Sequence, residues 1–224
     1  MYASGDGVDT DAKEAARLYR LAAAQGLDDA QVELGAAYAN GEGVRKDQKE
    51  AVNWFRLAAD QGHPHGQFNL GLMYERGCGV GMDENESVIW HRLAAEQGHP
   101  DAQSALGLAY WNGRGVTGDD TEAVRWYRLA AEQGQVRAQI LLGVAYHLGR
   151  GVLYDENEAA RWFGLAAEQN DPDAQASLGF AYATGAGVPQ NIEVAAYWLT
   201  LAADQGNATA QSVLRELNAH AEGE

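Results

Sequence analysis

Apolar residues recur at helical spacing along the chain, and the pattern itself repeats every 36 residues. In residues 28–40, Leu34, Gly35 and Tyr38 share one apolar face of a predicted α-helix, here named helix A. The same trio returns four times, as Leu70, Gly71 and Tyr74, Leu106, Gly107 and Tyr110, Leu142, Gly143 and Tyr146, and Leu178, Gly179 and Tyr182. A glycine in a helix interior costs about 0.5–1 kcal/mol relative to alanine. Its recurrence therefore predicts that another helix backbone approaches closely at each of these positions.

A second helix, named helix B, is predicted in the other half of each unit. Its start is marked by Asp47, with Glu50 three residues later, which is an aspartate version of the capping box. The pair recurs as Asp11 and Glu14, Asp83 and Glu86, Asp119 and Glu122, and Asp155 and Glu158, and Asn191 with Val194 is the one departure. Helix B is predicted to bury Ala51, Trp54 and Ala58.

Turn residues separate the predicted helices. Helix A, which we expect over Asp28–Asn40 in the first full unit, ends at a Gly-x-Gly-Val motif that begins with Gly41 and suits a left-handed cap. The N-cap position of helix A holds Leu27, His63, His99, Gln135, Asp171 and Asn207 in successive units. Inside helix A the pair Ala-Gln recurs at Ala30-Gln31, Ala102-Gln103, Ala138-Gln139, Ala174-Gln175 and Ala210-Gln211, with Gly66-Gln67 as the sixth copy.

The unbroken period predicts stacked helix-turn-helix units in an all-α solenoid. We expect one repeat domain over residues 1–224. Its parts would be a partial first repeat at 1–26 (helix B), full repeats at 27–62, 63–98, 99–134, 135–170 and 171–206, and a C-terminal capping helix and tail at 207–224. Tyr2 and Val8 align with Tyr38 and Val44, so the chain begins in mid-repeat and we expect it to be a fragment of a longer protein, with any signal sequence absent.

The net charge of the chain limits the classes of partner that it is expected to bind. The 224 residues include 32 acidic and 16 basic side chains, for a formal charge of −16. Nucleic acids and anionic membranes are poor partners for such a chain, because both are bound through Lys and Arg. No apolar run approaches the ~20 residues of a membrane span. A basic protein partner fits the charge, as does a role of the charge in solubility or in adaptation to a salty habitat.

Few residues of the chain suggest catalysis or metal binding, and no catalytic motif or cofactor fingerprint is found in the sequence. His63 and His65 could begin a surface metal site, but no cysteine or carboxylate completes a ligand set at known spacing. Cys78 stands alone, which excludes an intramolecular disulfide, and it is interpreted as a small loop residue rather than a reactive thiol. We therefore expect a non-catalytic protein without metal or cofactor.

The combined motif, Ala-Gln-x-x-Leu-Gly-x-x-Tyr-x-x-Gly-x-Gly-Val followed by Asp-x-x-x-Ala-x-x-Trp-x-x-x-Ala-x-x-Gln-Gly, resembles the Sel-1-like repeat, a relative of the tetratricopeptide repeat. The resemblance covers essentially the whole chain. It implies a right-handed α-solenoid that serves as a scaffold for protein–protein interaction, commonly in bacterial adaptors of signalling, envelope or host contact. One cysteine-rich bacterial branch is linked to penicillin binding, and this chain departs from that branch because it lacks the paired cysteines.

The resemblance also implies where a partner would bind, because helix A lines the concave surface in tetratricopeptide proteins. The inward positions of the first full unit would be 29, 32, 36, 39 and 40, with equivalents every 36 residues. These rows vary while the frame repeats, and they predict a groove for an extended peptide or a helix. The predicted partner-binding residues are Phe68, Leu72, Glu75, Arg76, Leu108, Trp111, Asn112, Ile140, Val144, His147, Leu148 and Phe180.

Three alternatives stay open at this point, and one of them is a penicillin-binding or hydrolase-like activity, as linked to the cysteine-rich relatives. Tight curvature of the array would bury rows 32 and 36 between adjacent A helices, which would leave them a structural role. The chain would otherwise self-associate end to end through the first helix, near Tyr2 and Leu18, because a truncated array exposes an apolar flank.

Overall fold

The computed structural model describes residues 11–221, with side chains through Leu217. That part of the chain contains twelve α-helices: α1 Ala12–Ala23, α2 Asp28–Asn40, α3 Gln48–Asp60, α4 Pro64–Arg76, α5 Glu84–Glu96, α6 Pro100–Asn112, α7 Asp120–Glu132, α8 Val136–Leu148, α9 Glu156–Glu168, α10 Pro172–Thr184, α11 Ile192–Asp204 and α12 Ala208–Ala221. No strand occurs within residues 11–221. The predicted fold class, an all-α solenoid of helix-turn-helix repeats, is confirmed. Tyr2 and Val8 lie outside the described residues.

The helices fall into two compact units. Unit 1, Met1–Gly118, holds α1–α6, and unit 2, Asp119–Glu224, holds α7–α12. Within each unit every helix packs against the next one in the chain. Even-numbered helices are the A helices and odd-numbered helices are the B helices. A helices also contact one another, α2 with α4 in unit 1 and α10 with α12 in unit 2.

The helix ends follow the capping residues read from the sequence. Asp47 has an extended backbone and its Oδ1 accepts hydrogen bonds from the backbone N–H groups of Lys49 and Glu50, at 3.0 and 3.2 Å. The same arrangement starts α1, α5, α7 and α9, and Asn191 caps α11 through one such bond. Helix α2 ends at Gly41, whose φ of 84° is left-handed, so a residue with a side chain would be strained there. These predictions are confirmed.

The repeated Ala-Gln pair ties three helices together. Gln67 is buried, its Nε2 donates to the Ala59 carbonyl at the end of α3, and its Oε1 accepts from Gln97 Nε2 at the end of α5 at 2.8 Å. Unit 2 has the same arrangement around Gln139, which accepts from Gln169 at 2.9 Å. A buried amide without partners would cost about 1–3 kcal/mol. The hydrogen bonds of the buried glutamine avoid this cost and also link consecutive helices.

The helix A glycines are explained by side chains. A Cβ added at Gly35 would lie 2.7 Å from the Phe55 ring, and one at Gly143 would lie 2.6 Å from Phe163 Cε1. At Gly71 the nearest atom is Cδ2 of the His91 ring, which would lie closer still. The prediction of a close helix backbone is therefore wrong at these three positions, because an aromatic side chain of the following helix B occupies the space.

Helix B buries its small residues more completely than its tryptophan. Ala51 and Ala58 have no exposed surface, which confirms their predicted burial, whereas Trp54 is half-buried. The helices within residues 11–221 are 12 to 14 residues long, and none combines the length and apolar content that crossing a membrane requires.

Candidate partner-binding pocket

The predicted binding residues of unit 1 lie on helices α4 and α6. Four of them are half-buried, namely Phe68, Leu72, Leu108 and Trp111. The other three, Glu75, Arg76 and Asn112, are exposed at the C-terminal ends of the two helices. The polar members of the predicted set are thus accessible, and the apolar members are partly covered.

Phe68 lies in a histidine cluster. Its ring stacks on His99 with 4.8 Å between ring centroids, and the His91 ring lies 5.5 Å away. His99 Nε2 is 3.0 Å from His65 Nδ1, and the neighbouring His63 is 5.7 Å from His65 between ring centroids. The alternative interpretation, in which row 32 is structural, describes this residue well.

Burial lowers the pKa of the two buried histidines of this cluster, His91 and His99. His91 is only 2% exposed, and its Nδ1 lies 3.4 Å from Ser87 Oγ. Burial lowers the pKa of His91 to about 4, because the charged imidazolium loses its hydration. Burial and the neighbouring His65 also lower the pKa of His99. Among the described side chains, residues 11–217, no group of three or more His, Cys, Asp or Glu is placed to hold a metal ion.

Unit 2 contains a pocket of about 470 Å³ on its A helices, here named the A-helix pocket. Helix α10 contributes five of the lining residues, α9 three, and α8 and α12 two each. Its apolar lining includes Val144, Phe163, Ala176, Phe180 and Val213. Val144 and Phe180 belong to the predicted set. Phe180 is 51% exposed, which is unusual for so large an apolar side chain.

Ala176 is the smallest side chain among the compared positions of its row, and it lines this pocket. The equivalent positions in the other units carry Val32, Phe68, Ser104 and Ile140, and three of these four are larger and apolar. Ala176 lines the pocket and is 7% exposed, so its small side chain forms part of the floor. Ala176 belongs to row 32 but not to the predicted binding set. Its methyl side chain carries no chemical signal in the sequence that would mark a binding residue.

Two carboxylates lie on the rim of the A-helix pocket. His147 Nδ1 is 2.9 Å from Glu156 Oε1, and the Tyr154 hydroxyl donates to the same oxygen at 2.8 Å. On the α10–α12 side, Asn207 Nδ2 donates to Asp173 Oδ1 at 2.8 Å. Partial burial acts to raise the pKa of Glu156, but the hydrogen bonds from His147 and Tyr154 outweigh it and leave the pKa below its usual value.

The remaining predicted residues of unit 2 divide between core and surface. Ile140, like Val144, is partly buried against the apolar core formed by α9 and α10. Leu148 is 59% exposed and His147 is exposed, and only His147 of the two lines the pocket. The structure therefore brings Val144, His147 and Phe180 together in the pocket.

Leu18 is the described residue of the first helix that was predicted to take part in end-to-end association. Leu18 is 39% exposed on α1, whereas Trp54 and Trp90 at the equivalent positions of α3 and α5 are half-buried. Leu21 is 53% exposed, and the equivalent Leu57 and Leu93 are also exposed, at 47% and 39%. Self-association through Leu18 stays a prediction.

Comparisons with known proteins show which family shares this repeat architecture. A sequence model described as the Sel1 repeat matches residues 1–27, 28–63, 64–99, 100–135, 136–171 and 172–207. A comparison with curated proteins gave no match.

Two solved structures are similar at a level that also supports the family. One is a protective antigen present in uropathogenic Escherichia coli strains and displaying an SLR fold, with 42% identity and a TM-score of 0.89 over 95% of this chain. This chain spans 46% of the length of that antigen. The other is a Sel1 repeat protein from Oxalobacter formigenes, with 41% identity and a TM-score of 0.80 over 85% of this chain and 76% of that one.

A third solved structure shares the fold alone. It is an immunity protein from Pseudomonas aeruginosa, with 21% identity and a TM-score of 0.56 over 87% of this chain and 75% of that one. The six matched repeats, the two structures above 40% identity and the repeated helix pairs agree. The chain belongs to the Sel1 repeat family.

Proposed function

We propose that this chain is a non-catalytic adaptor that binds an extended peptide or a helix of a partner protein in the A-helix pocket. The observation that carries the proposal is the open apolar pocket of about 470 Å³ beneath the half-exposed Phe180. Sel1 repeat proteins generally are protein-interaction scaffolds and typically lack catalysis, which agrees with this assignment.

The size and lining of the pocket support a partner side chain as its occupant. Binding pockets commonly measure about 300–1,000 Å³ and have apolar walls with a few polar groups. A large apolar side chain of the partner, seated against Val144, Phe180 and Val213, would bury the surface that the free protein leaves exposed. Aromatic residues in such pockets often carry much of the binding free energy.

The proposal is tested with peptides selected on the protein itself. A random-peptide phage library is panned against the wild-type chain, and the affinity of the enriched peptides is measured by fluorescence polarisation. Phe180→Ala should weaken binding about tenfold or more, as expected for an aromatic anchor. Leu129→Ala is the matched control, because Leu129 is an exposed apolar residue of α7 outside the pocket.

The two variants distinguish binding in the pocket from binding elsewhere on the protein. Loss with Phe180→Ala and retention with Leu129→Ala, at matched unfolding midpoints, supports the pocket as the binding surface. Equal binding by Phe180→Ala and wild type, or an equal loss in both variants, contradicts it.

A further inference from the structure

We infer that the partner segment in the A-helix pocket presents a large apolar side chain next to a lysine or arginine. The inference rests on the proposed function and adds the chemistry of the ligand. It starts from the division of the pocket into an apolar floor and an acidic rim, formed by Glu156 on one side and Asp173 on the other.

The floor selects the apolar part of the ligand. Phe163, Ala176 and Val213 come from three helices, α9, α10 and α12, and offer no hydrogen-bonding side-chain atom. A polar side chain placed against these three residues would lose its hydration without gaining a partner, which is unfavourable. An aliphatic or aromatic side chain has no such cost. The hydroxyl residues of the lining are Ser177, whose Oγ donates to the Asp173 carbonyl at 2.8 Å, and Thr209.

The rim selects the charged part. A carboxylate has two oxygens with about four acceptor sites in total. Asp173 Oδ1 accepts one hydrogen bond from Asn207, and Glu156 accepts from His147 and Tyr154. Both carboxylates therefore keep capacity for a further donor. A lysine or arginine that flanks the buried apolar residue could reach either one and form a charge-assisted hydrogen bond.

The charge of the whole unit favours the same ligand. Residues 119–224 include 15 acidic and six basic side chains. Three of the six arginines are already paired with carboxylates: Arg125 with Glu122, Arg161 with Glu158, and Arg150 with Asp120. The unit thus repels an acidic segment and attracts a basic one, which raises the association rate and opposes acidic competitors.

Two synthetic peptides test the inference. Both are 14-residue amphipathic helices with the same leucine positions, and the polar positions carry lysine in one and glutamate in the other. We expect the leucine–lysine peptide to bind the full chain about tenfold or more tightly by fluorescence polarisation in physiological salt. The double variant Glu156→Gln/Asp173→Asn should weaken this binding about fivefold to tenfold.

A second double variant distinguishes the rim from the bulk charge. Glu132→Gln/Glu168→Gln removes the same two charges from exposed ends of α7 and α9, outside the pocket. The inference requires that this control bind the leucine–lysine peptide within about twofold of wild type. An equal loss in both double variants would show attraction by net charge alone and would overturn the inference.

Other outcomes separate this inference from the proposed function. If the leucine–glutamate peptide binds as tightly, and Phe180→Ala weakens it, the pocket is the binding surface but the inferred ligand chemistry is wrong. If neither peptide responds to Phe180→Ala, or neither binds, the inference fails. In that case the selected phage peptides decide the proposed function independently.

Discussion

Phe68 in unit 1 and Ala176 in unit 2 occupy the same row of the repeat and have opposite consequences. Phe68 is half-buried, stacks on His99 and has its ring centroid 5.5 Å from that of His91. Ala176 lines the A-helix pocket together with Phe180. Helices α4 and α10, which carry the two residues, have the same length and the same kinds of caps. A repeated frame therefore does not imply a repeated surface, because the side chains at equivalent positions differ.

Buried His91 should make unit 1 sensitive to acid, which is the largest effect we expect. The folded-state pKa of His91, about 4, lies below its unfolded value near 6.5. Its neutral form therefore contributes stability that is complete above about pH 6.5 and is lost as the pH falls towards 4. The full loss of unfolding free energy is about 3 kcal/mol, and most of this loss should already have occurred at pH 5. Hydrogen exchange of α4 and α5 amides at pH 7 and pH 5, corrected for intrinsic rates, measures it.

The control for this prediction is His91→Phe. Phenylalanine occupies the equivalent positions 55 and 163, each against a helix A glycine, so the substitution fits the frame. The variant should lose most of the acid sensitivity of α4 and α5. Unit 2 has no buried histidine among its described side chains and should change less. An unchanged pH dependence in His91→Phe would remove His91 as its cause.

The shared frame is tested at a glycine. Gly143→Ala places a Cβ 2.6 Å from Phe163 Cε1, and we expect it to destabilise unit 2 by about 1–3 kcal/mol through overpacking. Gly164→Ala is the matched control, because nothing lies within 4 Å of its added Cβ. That change should stabilise helix α9 by about 0.5–1 kcal/mol. Urea denaturation of both variants checks the opposite signs, and the same sign in both would refute the packing explanation.

Removal of a helix N-cap should reduce stability by the same amount in both units. Asp47→Ala and Asp155→Ala each remove a side chain that accepts two backbone N–H groups. Each change should destabilise its helix by about 1 kcal/mol. Hydrogen exchange of the first turns of α3 and α9 measures the two losses side by side. A large difference between them would show that the frame, and not only its surface, differs between the units.

Much of the frame could be predicted from the sequence, because its signals are local. The bounds of α2, Asp28–Asn40, agree with the predicted helix A. Gly41 marks the end of the helix with a left-handed cap, whereas Leu27 makes no side-chain cap hydrogen bond, so the start of the helix was predicted from the repeat register. The aspartate caps are equally local. The reason for the glycine in helix A was misread, because the side chain that requires it lies 20 residues further along the chain, as Phe55 does from Gly35.

The binding surface could be predicted only in part, because exposure depends on distant neighbours. Phe68 and Phe180 looked alike as variable apolar residues, but His91 and His99 cover the first and nothing equivalent covers the second among the described side chains. Glu156 carries no signal of its own in the sequence, where its neighbours Asp155 and Glu158 form the helix-start motif. Its place beside His147 follows from the return of the chain after the loop between α8 and α9.

The most direct test of the account is to close the A-helix pocket. Ala176→Phe introduces the residue that unit 1 carries at this row as Phe68, and Ala176→Ile, which introduces the residue found at Ile140, serves if the larger change perturbs folding. The affinity of the tightest selected peptide is measured for wild type and variant at matched unfolding midpoints. We predict at least a tenfold loss of affinity, on the order of an interface hot spot. Unchanged affinity in a folded variant would show that the partner binds elsewhere and that the pocket is only a gap in the packing.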